Sequence, residues 1–230
     1  MSVNLLTDPG ATVPPVPADV PPGGVAWLRA TVARFSNGND HARRRSLAMR
    51  ELASISVEAL RDKAYRRTRD VLGEDTAVVD VMAAIARAVP VGVLAGELGL
   101  PDVSADVAVV APAYHPHVTP DAAAEAALAR LIAACGGVAD AVLRTDQPVL
   151  RTRRRVDGED VVVDLAGLPF GAGPKECPGR AHAVALAAGV LDALRGFRLV
   201  EREISYEPAV NLHVPVRLRV TRGNSVGGLC

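Results

Sequence analysis

Residues 168–180 read Leu-Pro-Phe-Gly-Ala-Gly-Pro-Lys-Glu-Cys-Pro-Gly-Arg, and this stretch constrains the chain more than any other. Gly171, Gly173 and Gly179 allow backbone conformations that residues with a Cβ resist. Pro178 suits the first position of a helix, and an alanine-rich run follows it. The spacing therefore predicts a rigid loop that holds Cys177 at a helix N-terminus, where amide groups and the helix dipole favour a thiolate. A thiolate fixed in apolar surroundings serves as a nucleophile or as a metal ligand. The plainer alternative is a buried structural cysteine in a Gly/Pro turn.

Composition narrows the setting. With 230 residues, 49% of them hydrophobic, the chain suits one globular domain with a sizeable core. Its 26 basic and 26 acidic residues balance, so no electrostatic footprint for nucleic acid stands out. Cys135, Cys177 and Cys230 are widely spread and form no zinc-type spacing, which favours a reducing, cytoplasmic setting. No apolar run reaches the ~18 residues that span a bilayer, so no membrane partner is expected.

Residues 1–25 are Pro-rich and read as a flexible, poorly packed lead-in. A single domain follows over 26–222, with a loose Gly-rich tail at 223–230. A short helix pattern begins at Val25, and a helix is expected from about Asp40 to Leu52. On it His41, Arg45, Ala48 and Leu52 share one face. Arg43, Arg44 and Arg50 read as a solvated basic face. Ser56 is an N-cap for a helix from Val57 to Leu72 that ends at Gly73. A further helix is expected from Asp75 or Thr76 to Ala88, and another from Asp121 to Cys135. Residues 149–163 read as a hairpin with Asp157-Gly158 at its turn, placing Arg151, Arg153 and Arg155 on one face. Strands are expected at Leu199–Tyr206 and His213–Thr221.

Phe170, Gly173, Cys177 and Gly179 fit Phe-x-x-Gly-x-x-x-Cys-x-Gly, with basic Lys175 two residues before the cysteine. This pattern resembles the haem-binding loop of the cytochromes P-450. The resemblance implies haem b as cofactor and Cys177 as its proximal iron ligand. It also implies that His41 and Arg45, as His-x-x-x-Arg, contact the haem propionates. Arg155, followed five residues on by Asp160, matches a further propionate contact, with Arg153 in reserve. Asp140 to Val149 resembles the family's K helix, with Arg144 kept and Ala141 where the family has Glu.

The chain is about half the usual length of the family and shows no distal acid-alcohol pair and no meander. The expected fold is α+β and mainly helical, a reduced cytochrome P-450-like fold. The expected function is a haem-thiolate enzyme of small-molecule biosynthesis with chemistry other than reductase-fed monooxygenation, so a redox partner is doubtful. The alternative is a non-catalytic P-450-like helper that binds and activates a partner enzyme. Loss of covering structure points to a homodimer.

Overall fold

The structure is a computed structural model that describes residues 2–17, 19–74, 77–135, 151–165, 167–208 and 214–223. The helices are α1 (Ser2–Thr7), α2 (Val25–Thr31), α3 (Gly38–Ala53), α4 (Val57–Leu72), α5 (Val89–Glu97), α6 (Ser104–Ala113), α7 (Ala122–Cys135) and α8 (Arg180–Ala193). The strands are β1 (Val78–Asp80), β2 (Arg151–Val156), β3 (Glu159–Asp164), β4 (Phe197–Leu199) and β5 (Arg219–Arg222).

Local chemistry fixes the best-defined ends. Ser56 accepts a hydrogen bond from the Ala59 amide at 3.1 Å, and Gly73 closes α4 at φ 55°. Asp121 caps α7 by accepting from the Ala124 amide at 2.8 Å. In the β2–β3 hairpin Asp157 and Gly158 both have positive φ, 51° and 88°, which matches the right-handed twist of the paired strands.

The largest core lies between α4 and α8. Leu60, Ala64 and Leu72 meet Ala185, Leu186 and Val190, with Ile85 and Val220 closing the ends. Gly189 lets the two helices touch, since a Cβ there would lie 2.2 Å from the Arg61 carbonyl oxygen. A second core joins α2, α6 and α7 through Leu28, Val110, Leu128 and Leu131.

Three sequence expectations change. The helix expected from Asp75 or Thr76 to Ala88 keeps only its second half, as a π-helical stretch at Met82–Ala86; its start gives way to β1, because β-branched Val78 and Val79 pair with Thr221 and Val220 of β5. The two long C-terminal strands shrink to β4 and β5, which form an antiparallel sheet in the order β1-β5-β4. Between them Tyr206 and Pro215 make an isolated bridge, which proline's missing N–H helps keep short. The lead-in is docked over much of its length. Leu6 is buried against Val163 and Leu165, Thr12 bridges to Arg155, and the Asn37 side chain holds both backbone groups of Val13 at 2.9 Å. The K-helix resemblance at Asp140–Val149, with Arg144, lies outside the described residues, as do His213 and the tail from residue 224.

Among the described residues, no helix is long and apolar enough to cross a membrane.

Candidate functional site

The cysteine loop is built from its own hydrogen bonds. The Gly171 amide donates to Leu168 O at 2.9 Å, Glu176 to Gly173 O at 3.0 Å, and Cys177 to Phe170 O at 2.8 Å. Gly171 and Gly173 sit at φ 71° and 70°, where a side chain would be strained. Gly173 is doubly required, because an added Cβ would also lie 2.6 Å from the Leu6 carbonyl oxygen of α1. The Phe170 ring carries the Arg180 guanidinium 5.8 Å from its centre. Helix α8 begins at Arg180, slightly later than Pro178 suggested, and Cys177 lies half-buried just before it. Cys177 is in no disulfide.

Beside this loop, cations converge. Arg45 Nη1 donates to the Glu176 carbonyl, which ties α3 to the residue before Cys177. Lys175 Nζ donates to the Ser36 carbonyl at the entrance of α3. Burial pulls Lys175 down to about 8, and the charges of Arg154 and Arg45 add to the drop. His41 falls to about 4, first through burial and then through Lys175, Arg45 and Arg154. Every charge named in these two shifts is positive. The Glu176 carboxylate turns instead to Arg180 at 3.0 Å. Like charges held this close favour an incoming anion, and a guanidinium fork suits a carboxylate.

The face of α3 that carries His41 and Arg45 continues through Ala48 and Leu52 into an apolar cleft. There Cys177, Pro178, Gly179 and His182 face Leu94 of α5. The cleft encloses about 140 Å³. Gly179 is buried at φ −91°, and a Cβ there would meet only Leu52 Cδ1, at an ordinary 3.8 Å. Nothing in the chain itself demands a glycine at that point, so it leaves room at the cleft floor. His182 Nε2 donates to the Leu52 carbonyl at 2.9 Å, which leaves Nδ1 as an acceptor, buried and without a partner among the described residues.

Of the residues expected at the site, Cys177, Phe170, Gly173 and Gly179 shape the loop, and His41, Arg45 and Lys175 gather beside it. Arg153 and Arg155 do not join them. Arg155 Nε donates to Asp160 Oδ1 at 2.7 Å, and both arginines line a different cavity on the other face of the hairpin. The strand residue that meets the cluster is Arg154, only 5% exposed. The sequence reading missed it because β2 has arginine on both faces, and a one-residue choice of register decides which one turns inward. His115 and His117 line that other cavity, away from the Cys177 cleft.

No family model matches the chain, and no curated protein matches it. Many solved cytochrome P-450 structures do. P450BioI, crystallised with an acyl carrier protein bearing hexadec-9Z-enoic acid, aligns at TM-score 0.78 and 13% identity, covering 96% of this chain and 90% of its own. CYP154A1 from Streptomyces coelicolor A3(2) aligns at 0.72 and 16% identity, covering 96% and 89%. OxyD, described as involved in the biosynthesis of vancomycin-type antibiotics, aligns at 0.64 and 17% identity, covering 84% and 79%. The chain is a structural relative of the cytochromes P-450 at low sequence identity, and its helices and small antiparallel sheets form a reduced version of that fold.

Proposed function

We propose that this chain is a haem-thiolate enzyme of small-molecule biosynthesis, with Cys177 as the proximal iron ligand. The observation that carries the reading is the cation cluster: His41, Arg45, Lys175 and Arg154 converge beside a cysteine held at a helix N-terminus. That donor set suits a flat apolar ring with two carboxylates. Arg154, Arg45, Lys175 and His41 would hold its propionates, in place of Arg153 and Arg155. Likeness to P-450 structures, OxyD among them, supports the fold and the setting.

When bound, a haem held by thiolate supplies an iron centre for redox or Lewis-acid chemistry. The chain's own residues do the rest. Gly171 and Gly173 fix the loop, and the first amides of α8 favour negative charge on Sγ. Ala48, Leu52, Leu94 and Leu186 line the cleft with hydrocarbon. The His182 ring is oriented by the bond from Nε2 to the Leu52 carbonyl. Without a recognisable acid-alcohol pair to time proton delivery, the chemistry we propose is dehydration, rearrangement, peroxide-dependent reaction or heteroatom bond formation.

An enclosed volume of about 140 Å³ is close to that of cavities that hold one benzene. A tetrapyrrole enters only if the walls part or if much of the ring stands outside. This small volume favours a second reading, the non-catalytic helper that binds a partner enzyme. Haem titration separates the two. The enzyme reading expects stoichiometric uptake that weakens in Arg154→Gln and Arg45→Gln and is unchanged in Arg155→Gln. No uptake by the wild type would leave the helper.

A further inference from the structure

The larger of the two cavities described here lies on the opposite face of the β2–β3 hairpin from the cation cluster. It encloses about 370 Å³, within the usual range for small-molecule sites. Arg151, Arg153 and Arg155 line it from alternate positions of β2, about 7 Å apart along the strand, and Arg34 joins them from the turn between α2 and α3. Among the described residues, four arginines line the cavity with one carboxylate, Asp160, which accepts from Arg155 at 2.7 Å; Arg151 stands directly across the hairpin from Asp164, and Arg153 across from Val162.

Part of the wall is apolar, and two of its segments are held in place. Val13, Phe35 and Val162 supply hydrocarbon surface. The Arg34 guanidinium lies 5.5 Å and 5.9 Å from the Phe35 and Tyr114 ring centres, so it is oriented by the aromatic pair. The wall carrying His115 and His117 is locked from below. Arg29 donates to the carbonyls of Ala113, Tyr114, His115 and Val118, so one guanidinium pins the end of α6 and the turn after it. The imidazoles of His115 and His117 stack at 5.5 Å above that anchor.

We infer that this cavity binds a small molecule with an oxyanion, carboxylate or phosphate, on an apolar body. The arginine row takes the oxyanion and the Val13, Phe35 and Val162 surface takes the body. The inference does not depend on haem, because Cys177 and the cation cluster lie outside this cavity.

Calorimetric titration of the purified chain with 2-naphthoate, 2-naphthyl phosphate and neutral 2-naphthylmethanol tests it. At least one of the two anions should bind about tenfold more tightly than the alcohol, and the stronger one identifies the oxyanion. Arg153→Gln should remove most of that preference and leave alcohol binding unchanged. Arg153 is exposed, so its loss should leave the unfolding midpoint in place. Arg45→Gln should have no effect on the preference. Equal affinity for all three probes would overturn the inference. So would an anion preference that survives Arg153→Gln but vanishes in Arg45→Gln, since the anion would then sit at the Cys177 cluster.

Discussion

Lys175 carries a charge that the folded chain holds against burial first and against the repulsion of Arg154 and Arg45 second, and removing that charge tests the site around it. Its drop from the ordinary 10.5 to about 8 corresponds, at 1.36 kcal/mol per pH unit, to roughly 3.4 kcal/mol. Because Lys175 is only half-buried, solvent screening reduces this to about 1–2 kcal/mol. Lys175→Gln removes the charge and keeps an N–H donor for the Ser36 carbonyl. At pH 7 the haem-free variant should be more stable than wild type to urea by about 1–2 kcal/mol. Below about pH 8 both folded and unfolded wild type carry the charge, and the folded state bears the full cost of its burial and of the repulsion. From there to pH 10.5 the folded state releases its proton first, so wild-type stability rises and the gap closes. Urea unfolding at pH 7 and near pH 10 reads both effects. A variant no more stable at pH 7, or a gap that stays constant, would refute the reasoning. Under the haem reading the order reverses with haem bound, because propionates convert the repulsion into attraction.

His41 should act in the same sense at lower pH: haem-free stability falls between pH 6.5 and about 4 as the folded state resists protonation, and His41→Gln should flatten that fall in a pH series of unfolding curves. Gly189→Ala should destabilise by about 3 kcal/mol or more, because its Cβ would lie 2.2 Å from the Arg61 carbonyl; thermal unfolding checks this. Helix α8 leaves Val184 and Leu191 exposed, Leu191 at 66%, so a homodimer is expected by light scattering, and Leu191→Glu should shift it to monomer.

The parts legible in the sequence are those whose reason is local. Positive φ at Gly171 and Gly173 fixes the loop, Ser56 and Gly73 bound α4, and Asp157-Gly158 makes the hairpin turn. Parts decided by distant partners were not legible. Val78 and Val79 pair as a strand only because β5 returns beside them, and the proline-rich lead-in is held by Asn37 and by the pocket around Leu6. At the site, Cys177, Lys175, His41 and Arg45 follow from motif spacing. Arg154 does not, since Arg-Thr-Arg-Arg-Arg-Val offers arginine to both faces and only the packed sheet shows which face is buried.

The most direct measurement is the absorption spectrum of the haem-reconstituted protein, reduced and exposed to carbon monoxide. With Cys177 as thiolate ligand the Soret band should lie far to the red of that of a histidine-ligated haem, and Cys177→Ala should lose the shift while its fold, followed by circular dichroism, is retained. A wild-type protein that takes up no haem, or one whose Soret band is the same with and without Cys177, would contradict the account.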